Sequence, residues 1–437
     1  MSKSQKLSPI NVPNFYVETF GCTANTSATE LMTYLLIECG HKKVDTKENA
    51  DFCLINTCIV KAPTENKIKD LLIKLNKKLP LIIAGCLPQV LSDWCRQHMP
   101  NVPLIGVDHF DMVCNAAKNA IEGKSYSAIQ RNEEFCSEIK RKRELDKVGI
   151  IEISKGCMGN CSYCIVKIAK GIHVSKQEEQ ILEEVRNALN EGCTEFWLTA
   201  QDTASYGIEL GINLPTIVKK ICSIPEEFRI RIGMMNTDFA LKILDELKDV
   251  LQHSKTFKFV HIPVQSGSNI VLQKMRRKYT IDEFIFLIKS LREIPKITIS
   301  TDIIAGFPEE TEEDHELTKQ LISDIKFDII NISKYGDRKG TEASRSQEKL
   351  PTEIVKQRSS ELKIIADKIS LENNKNWIGW KGTALAVKYS DDNTQTILRN
   401  DSYKVVAIEK SDLTIGEWYK VEIIDATKTR LIGTLIE

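Results

Sequence analysis

No stretch of this sequence is apolar for long enough to cross a membrane. Its first residues, Met1-Ser2-Lys3-Ser4-Gln5-Lys6, form a short polar start unlike a secretory signal. These two absences lead to the expectation of a cytoplasmic protein with no membrane partner. Net charge is missing as well, because 60 Lys and Arg balance 60 Asp and Glu. Composition therefore does not announce a nucleic-acid binder, and any RNA contact must use local basic patches. There is no GxxxxGK[ST] loop to cradle phosphates, which argues against a P-loop NTPase. Internal repeats and low-complexity tracts are also lacking. What is plentiful is cysteine, at 13 in 437 residues. Stable disulfides are rare in the expected compartment, and an odd count cannot pair fully. Metal or redox chemistry is the better explanation. An apolar content of 42% and a charged content of 27% fit an ordinary globular chain with room for two or three domains.

The stretch Gly156-Cys157-Met158-Gly159-Asn160-Cys161-Ser162-Tyr163-Cys164 carries three cysteines in CxxxCxxC spacing. It follows the apolar run Val148 to Ile153, which reads as a buried strand, so the cysteines fall in a loop at a strand's carboxyl end. Three close thiolates can hold three irons of a 4Fe–4S cubane and leave the last iron open to a substrate. A structural zinc site would want four ligands in paired spacings, and no partnering pair is present. Inert buried thiols would not be expected to gather in a glycine-flanked loop. The cluster is the preferred reading.

From about Asn14 to Gly123, strands alternate with helices: 15–19, 51–55, 81–84 and 102–105 read as strands, 27–38 and 64–75 as helices, with Thr64 as a cap. Alternation predicts a helix-covered parallel sheet. Cys22, Cys58 and Cys86 each sit just past a strand, and the carboxyl ends of a parallel sheet share one ligand-binding edge. A second trio is thereby predicted to converge. The glycines before Cys22 and Cys86 are expected to let the backbone approach a bulky cofactor. The competing reading is small apolar core residues. Cys39, Cys53, Cys95, Cys114 and Cys136 lack this placement and read as core or incidental.

Residues 124–147, with the basic run Lys140-Arg141-Lys142-Arg143, read as a linker. Residues 148–373 show strands at 149–153, 195–199, 229–233, 257–262, 297–302 and 328–332, separated by helices at 178–190, 239–251, 281–292 and 312–325. Six such units predict a partial (β/α)6 barrel whose function collects at the strand carboxyl ends. Gln201, Asp202, Asn236, His261, Gln265, Ser266, Ser268 and Asp302 lie there. Residues 377–437 turn to short strands, suggesting a small closed β-barrel of OB type, often a nucleic-acid binder. Lys388, Arg399, Lys404, Lys428 and Arg430 are its candidate phosphate contacts.

The whole pattern resembles the radical S-adenosylmethionine (SAM) methylthiotransferases. The resemblance rests on Thr19-Phe20-Gly21-Cys22, Ile55-Asn56-Thr57-Cys58, Ala84-Gly85-Cys86, the central cysteine loop, Leu198 to Thr203, His261 to Ser268 and Thr301 to Pro308, and on a C-terminal barrel similar to the TRAM module. Gln201-Asp202-Thr203, Arg231 to Asn236 and Arg399 to Lys404 resemble the archaeal and eukaryotic branch, which acts on tRNA carrying N6-threonylcarbamoyladenosine (t6A) next to the anticodon. Branches acting on isopentenyl-adenosine tRNA or a ribosomal protein share the chemistry. Two departures stand out. Lys170-Gly171 replaces a common arginine-glycine pair, and Tyr335 to Thr341 lacks a common proline.

The resemblance implies two 4Fe–4S clusters and SAM as cofactors. Cys157, Cys161 and Cys164 would hold the radical-generating cluster, and Cys22, Cys58 and Cys86 the cluster that carries the inserted sulfur. Gln201, Asp202, Asn236, Gln265, Ser266 and Asp302 would contact SAM or substrate. The product would be 2-methylthio-t6A, with an electron donor and a sulfur source as further partners. A non-catalytic, metal-stabilised RNA-binding protein, and a radical SAM enzyme using its second cluster only for electron transfer, are the rival readings.

Overall fold

A computed structural model describes residues 12–60, 62–136, 140–409 and 413–436. They form two compact units. One comprises the described residues up to 144 together with 168–171, and the other 145–167 together with the described residues from 172 onward.

The first unit is built on strands β1 (Asn14–Thr19), β2 (Lys42–Lys43), β3 (Phe52–Thr57), β4 (Leu81–Gly85), β5 (Leu104–Ile105) and β6 (Ser127–Ala128). All pair in parallel, in the order β2-β1-β3-β4-β5-β6. Every residue of β3 and β4 is buried, as expected of central strands covered on both faces. Helices α1 (Thr23–Glu38), α2 (Ala62–Asn76), α3 (Cys86–Val90), α4 (Ser92–His98) and α5 (Val113–Ile121) make the crossovers. The order reverses between β1 and β3, which makes the crevice at their carboxyl ends the topological switch point.

Several expectations need correcting in this unit. Helix α1 begins directly after Cys22 rather than at 27, and α2 begins at Ala62, so Thr64 lies inside it rather than before it. Ser127–Ala128, within the stretch read as a linker, pair with β5. Arg143 of the basic run is nearly buried, its Nη1 3.4 Å from the fully buried Glu30. Cys39 and Cys114 are not incidental: they form a disulfide joining the end of α1 to α5.

The second unit opens with β7 (Val148–Glu152), a hairpin of β8 (Ser154–Lys155) and β9 (Val174–Ser175), then β10 (Glu195–Thr199), β11 (Arg229–Ile232), β12 (Phe259–His261), β13 (Thr298–Ala305) and β14 (Ile329–Lys334). Parallel trios β11-β10-β7 and β12-β13-β14 are joined by bridges at Ile230–Thr256 and Met234–His261, giving the six-stranded partial barrel. The short helix α6 (Val166–Lys170) runs from this unit into residues 168–171 of the first, and the barrel strands are preceded or followed by α7 (Glu178–Asn190), α8 (Leu214–Cys222), α9 (Thr237–Lys242), α10 (Leu244–Leu251), α11 (Asn269–Lys274), α12 (Ile281–Arg292) and α13 (Glu312–Ile325). The helix expected over 239–251 is two helices with a break at Ile243. Leu198, Ile230, Ile232, Val260, Ile299 and Ile303 belong to the core beneath the helices. Strand alternation therefore turns Glu195, Trp197, Arg229, Arg231, Phe259, His261, Ser300 and Asp302 toward the barrel interior.

A long helix, α14 (Thr352–Lys375), leads to β15 (Lys381–Tyr389), β16 (Gln395–Asn400), β17 (Val405–Glu409), β18 (Trp418–Ala426) and β19 (Leu431–Leu435), which close into a barrel in the order β15-β16-β17-β19-β18. The turn between β16 and β17 docks on the amino-terminal end of the larger barrel. Lys258 N donates to Asp401 O at 2.7 Å, Arg229 pairs with Asp401, and the Tyr403 ring packs on Phe257 and Phe259.

Candidate functional site

The CxxxCxxC loop is held at the barrel's carboxyl-terminal rim by its backbone. Gly156 has φ +72°, and a Cβ there would stand 1.6 Å from the carbonyl oxygen of Ile172, so only glycine fits. Ser162 anchors the middle of the loop: its N donates to Met275 O at 3.1 Å, its Oγ to Lys274 O at 2.7 Å, and its own carbonyl accepts from Ala343 N at 2.8 Å. Tyr163 packs edge-on against Phe307, a packing role.

Each sulfur of the trio receives one N–H. Gly159 N points to Cys157 Sγ at 3.3 Å, Arg277 Nη1 to Cys161 Sγ at 3.4 Å, and Val166 N to Cys164 Sγ at 3.4 Å. A Cβ on Gly159 would lie 3.3 Å from Cys157 Sγ and 3.8 Å from Cys161 Sγ, so the glycine keeps open the space between them. Burial pushes the Cys164 thiol up to about 12 and raises that of Cys157. Such groups ionise at neutral pH only against a strong cation, and iron supplies one. Among the described residues, no three His, Cys, Asp or Glu side chains gather about one point as a single ion requires. A cubane spreads its ligands over separate irons and needs no such gathering. The loop therefore fits a cluster.

In the first unit Cys22, Cys58 and Cys86 follow the neighbouring strands β1, β3 and β4. Asn25 Nδ2 donates to Phe20 O and Thr57 O at 2.8 and 3.0 Å, and Thr57 Oγ1 donates to Ala84 O while accepting from Leu87 N. This network locks the three loops together. The glycines act differently from expectation. A Cβ on Gly21 would stand 2.6 Å from Cys58 Cβ, and one on Gly85 would stand 2.4 Å from Asn56 Oδ1. They permit close approach of one cysteine loop to the next strand end. Burial pushes the Cys86 thiol up to about 12, opposed by the positive charges of Lys170 and Arg131. Arg131 donates to the carbonyls of Ile168 and Ala169, and its Nη1 lies 3.5 Å from where Gly171 would carry a Cβ. Thus the Lys170-Gly171 pair, short of an arginine in its own sequence, has one beside it. Neither cation was legible near Cys86, since both come from distant segments.

The other predicted residues divide. Gln201 presents a buried amide oxygen that no donor meets among the described residues, as an acceptor for a bound amine would. His261 Nε2 stands 3.0 Å from Asp302 Oδ1, and Asn331 Nδ2 donates to the same oxygen at 2.9 Å. These line the barrel rim. Asp202 is spent on the fold: its carboxylate accepts from Ala204 N, Asn236 N and Asn236 Nδ2, and burial raises it to about 6 despite them. Ser266 is fully buried and accepts from Ser268 N. Gln265 sits at φ +71° with its backbone bridging Asp302 and Ile304. In the small barrel Lys404 is not a phosphate contact. It is buried, with Nζ 3.0 Å from Asp328 Oδ1 and 3.1 Å from Asn374 Oδ1. Arg399 lies over the Tyr403 ring, and Lys428 pairs with Asp367.

A six-stranded partial barrel with a CxxxCxxC loop at its carboxyl-terminal rim defines the radical SAM class. The Radical SAM superfamily matches residues 151–322, and Uncharacterized protein family UPF0004 matches residues 14–106. Among solved structures, the Kitasatospora setae radical SAM methyltransferase TsrM with cobalamin and a [4Fe-4S] cluster bound shares the fold, with a TM-score of 0.55 and 12% identity over 76% of this chain and 77% of that one. A probable threonylcarbamoyladenosine tRNA methylthiotransferase of Pyrococcus horikoshii is 36% identical over 96% of this chain and 99% of its own length. The threonylcarbamoyladenosine tRNA methylthiotransferases of Danio rerio and Homo sapiens are 33% and 32% identical, over 97% of this chain and 78% and 74% of their own lengths. The chain belongs to the threonylcarbamoyladenosine tRNA methylthiotransferase family.

Proposed function

We propose that this protein converts t6A next to the anticodon of tRNA into its 2-methylthio derivative. The observation that carries the reading is the pairing of two cysteine trios, each at strand carboxyl ends, in a chain of this family. Cys157, Cys161 and Cys164 would hold one 4Fe–4S cluster, and Cys22, Cys58 and Cys86 the other. When bound, these groups and SAM supply a radical that takes hydrogen from an unactivated C–H carbon, together with the sulfur and the methyl group.

The protein's own residues do the rest. Arg277, Gly159 and Val166 hold the first trio's sulfurs by N–H donation. Gln201 offers a buried acceptor to a ligand amine, and Asp302 with His261 lines the rim. Asp202 and Asn236 fix each other, and so tie the end of β10 to the start of α9, and act as positioning residues. Residues 14–123, 148–373 and 377–437 act as sulfur-donor, radical and RNA-holding domains. The target base leaves its stack to enter the barrel. No helix among the described residues is long and apolar enough to cross a membrane, and a tRNA substrate supports a place in the cytoplasm. An electron donor and a sulfur source complete the partners.

The test is mass spectrometry of nucleosides from t6A-containing tRNA incubated anaerobically with reconstituted protein, SAM and reductant. A 2-methylthio-t6A peak is expected. Replacing Cys22, Cys58 and Cys86 by alanine should abolish that peak and keep 5′-deoxyadenosine formation. Thiolation by the triple variant would sink the sulfur-donor assignment.

A further inference from the structure

The basic residues of the small barrel are not spread evenly. Arg399, Lys404, Lys428 and Arg430 border one cleft of about 310 Å3, and Lys363 of α14 borders it as well. Against these five cations the cleft carries two carboxylates, Asp328 and Asp367. A chain whose charges cancel overall thus keeps a local positive surplus here. A recess lined by one sign of charge concentrates its field and draws in the opposite sign.

The pairings inside the cleft separate committed cations from available ones. Lys404 is spent on Asp328 and Asn374, and Asp328 is also held by Arg292. Asp367 is shared by two lysines, Lys363 and Lys428, the latter at 2.7 Å. The side chains of Arg399 and Arg430 donate only to neutral oxygens among the described residues, Tyr403 O at 3.3 Å and Gln395 Oε1 at 2.7 Å. Each guanidinium has five N–H groups, so both keep donors for a ligand.

Phe259 and residues 328–330 also line the cleft, at the starts of β12 and β14. It therefore lies at the amino-terminal end of the larger barrel, one strand length or about 17 Å from the cysteine-bearing rim. A ligand held here takes no part in the chemistry at that rim. The available cations come from three elements: α14, the end of β16 and the turn between β18 and β19. A planar carboxylate is satisfied by a single arginine fork, whereas a tetrahedral phosphate offers oxygens in several directions at once. The volume suits a group of nucleotide size or smaller.

We propose that this cleft binds a phosphate group, that of a small phosphorylated compound or of an RNA backbone, with Lys363, Arg399, Lys428 and Arg430 as its contacts. The site goes beyond the reaction proposed above and does not depend on it.

The test uses the reconstituted full-length protein and two probes. Ribose 5-phosphate, with ribose as its uncharged match, is titrated by calorimetry. A labelled uridine decamer, which has backbone phosphates and no t6A, is followed by fluorescence anisotropy across a range of salt. Wild-type protein should bind at least one probe and ignore ribose. The double variant Lys428→Gln/Arg430→Gln should weaken that binding roughly 10-fold or more. Lys363→Gln, at an exposed position on the other element, should weaken it independently. Lys381→Gln, in the same barrel but outside the cleft, should leave it unchanged. Melting curves check that the variants fold. A loss confined to ribose 5-phosphate identifies a free phosphorylated ligand. A loss on the decamer, with a salt slope smaller by about 1.4 in the double variant, identifies an RNA backbone. Wild-type protein that binds neither probe overturns the proposal, as does full binding by the folded double variant or an equal loss in Lys381→Gln.

Discussion

The guanidinium of Arg277 reaches Cys161 across 116 positions of the chain, its Nη1 3.4 Å from Sγ. Its Nη2 also donates to Pro263 O at 3.3 Å, so the strand-end segment 263–277 and the cysteine loop are tied at one point. A cation donating to a ligand sulfur stabilises the more negative, reduced state of a cluster.

Arg277→Met should therefore lower the reduction potential of the cluster that Cys157, Cys161 and Cys164 would hold. A shift on the order of 60 mV, the one-electron equivalent of a tenfold change, is expected. An anaerobic redox titration followed by electron paramagnetic resonance measures it. An unchanged potential would show that the contact is not made in the loaded protein.

Gly156→Ala should prevent the loop from closing, because the added Cβ would occupy the place of the Ile172 carbonyl. Reconstituted variant protein should hold one cluster fewer than wild type by iron and sulfide analysis. SAM cleavage to 5′-deoxyadenosine should vanish with it.

Lys404→Ala should destabilise the second unit by about 2 kcal/mol, the cost of losing a buried, charge-assisted hydrogen bond. Asp328 would keep Arg292 at 2.9 Å and the Ile299 amide at 3.0 Å but lose its buried ammonium. Denaturant unfolding measures the difference. Lys388→Ala, at an exposed position, should change it little.

Glu30 offers a pH signature. Burial raises its carboxyl from 4.5 to about 7, against the pull of Arg143. The folded state thus binds a proton that the unfolded state releases, and this contribution to stability is present below pH 4.5 and lost as the pH rises to 7. Relative to Glu30→Gln, wild-type apoprotein should lose up to about 3 kcal/mol over that window. Melting curves of both proteins across the range decide it, and a parallel pH dependence would contradict the shift.

Much of this was legible in the chain because it is local. Strands such as Leu81–Gly85 are short apolar runs closed by a glycine and a cysteine, and α7, α12 and α13 carry their own capping boxes. The placement of Cys22, Cys58 and Cys86 just past three neighbouring strands followed from strand direction alone. What stayed hidden depends on distant partners. Arg131 and Lys170 act on Cys86 from other segments, and Cys39 meets Cys114 across 75 positions. Helix α14 buries Arg358 and Asn374 along with Leu362, Ala366 and Ile369, so its inner face does not read as an apolar stripe. Lys404 looks like any surface lysine until Asp328 and Asn374 are seen around it.

Tyr403 belongs to the small C-terminal barrel, yet its ring touches Phe257, Phe259 and the Arg231 guanidinium at the base of the large one. The small barrel is thus not an appendage that can be trimmed to leave a free-standing larger barrel, since removing it would strip the packing from Phe257 and Phe259. Mutational drift in the turn between β16 and β17 is felt at the base of the larger barrel, so the two barrels are inherited as one piece.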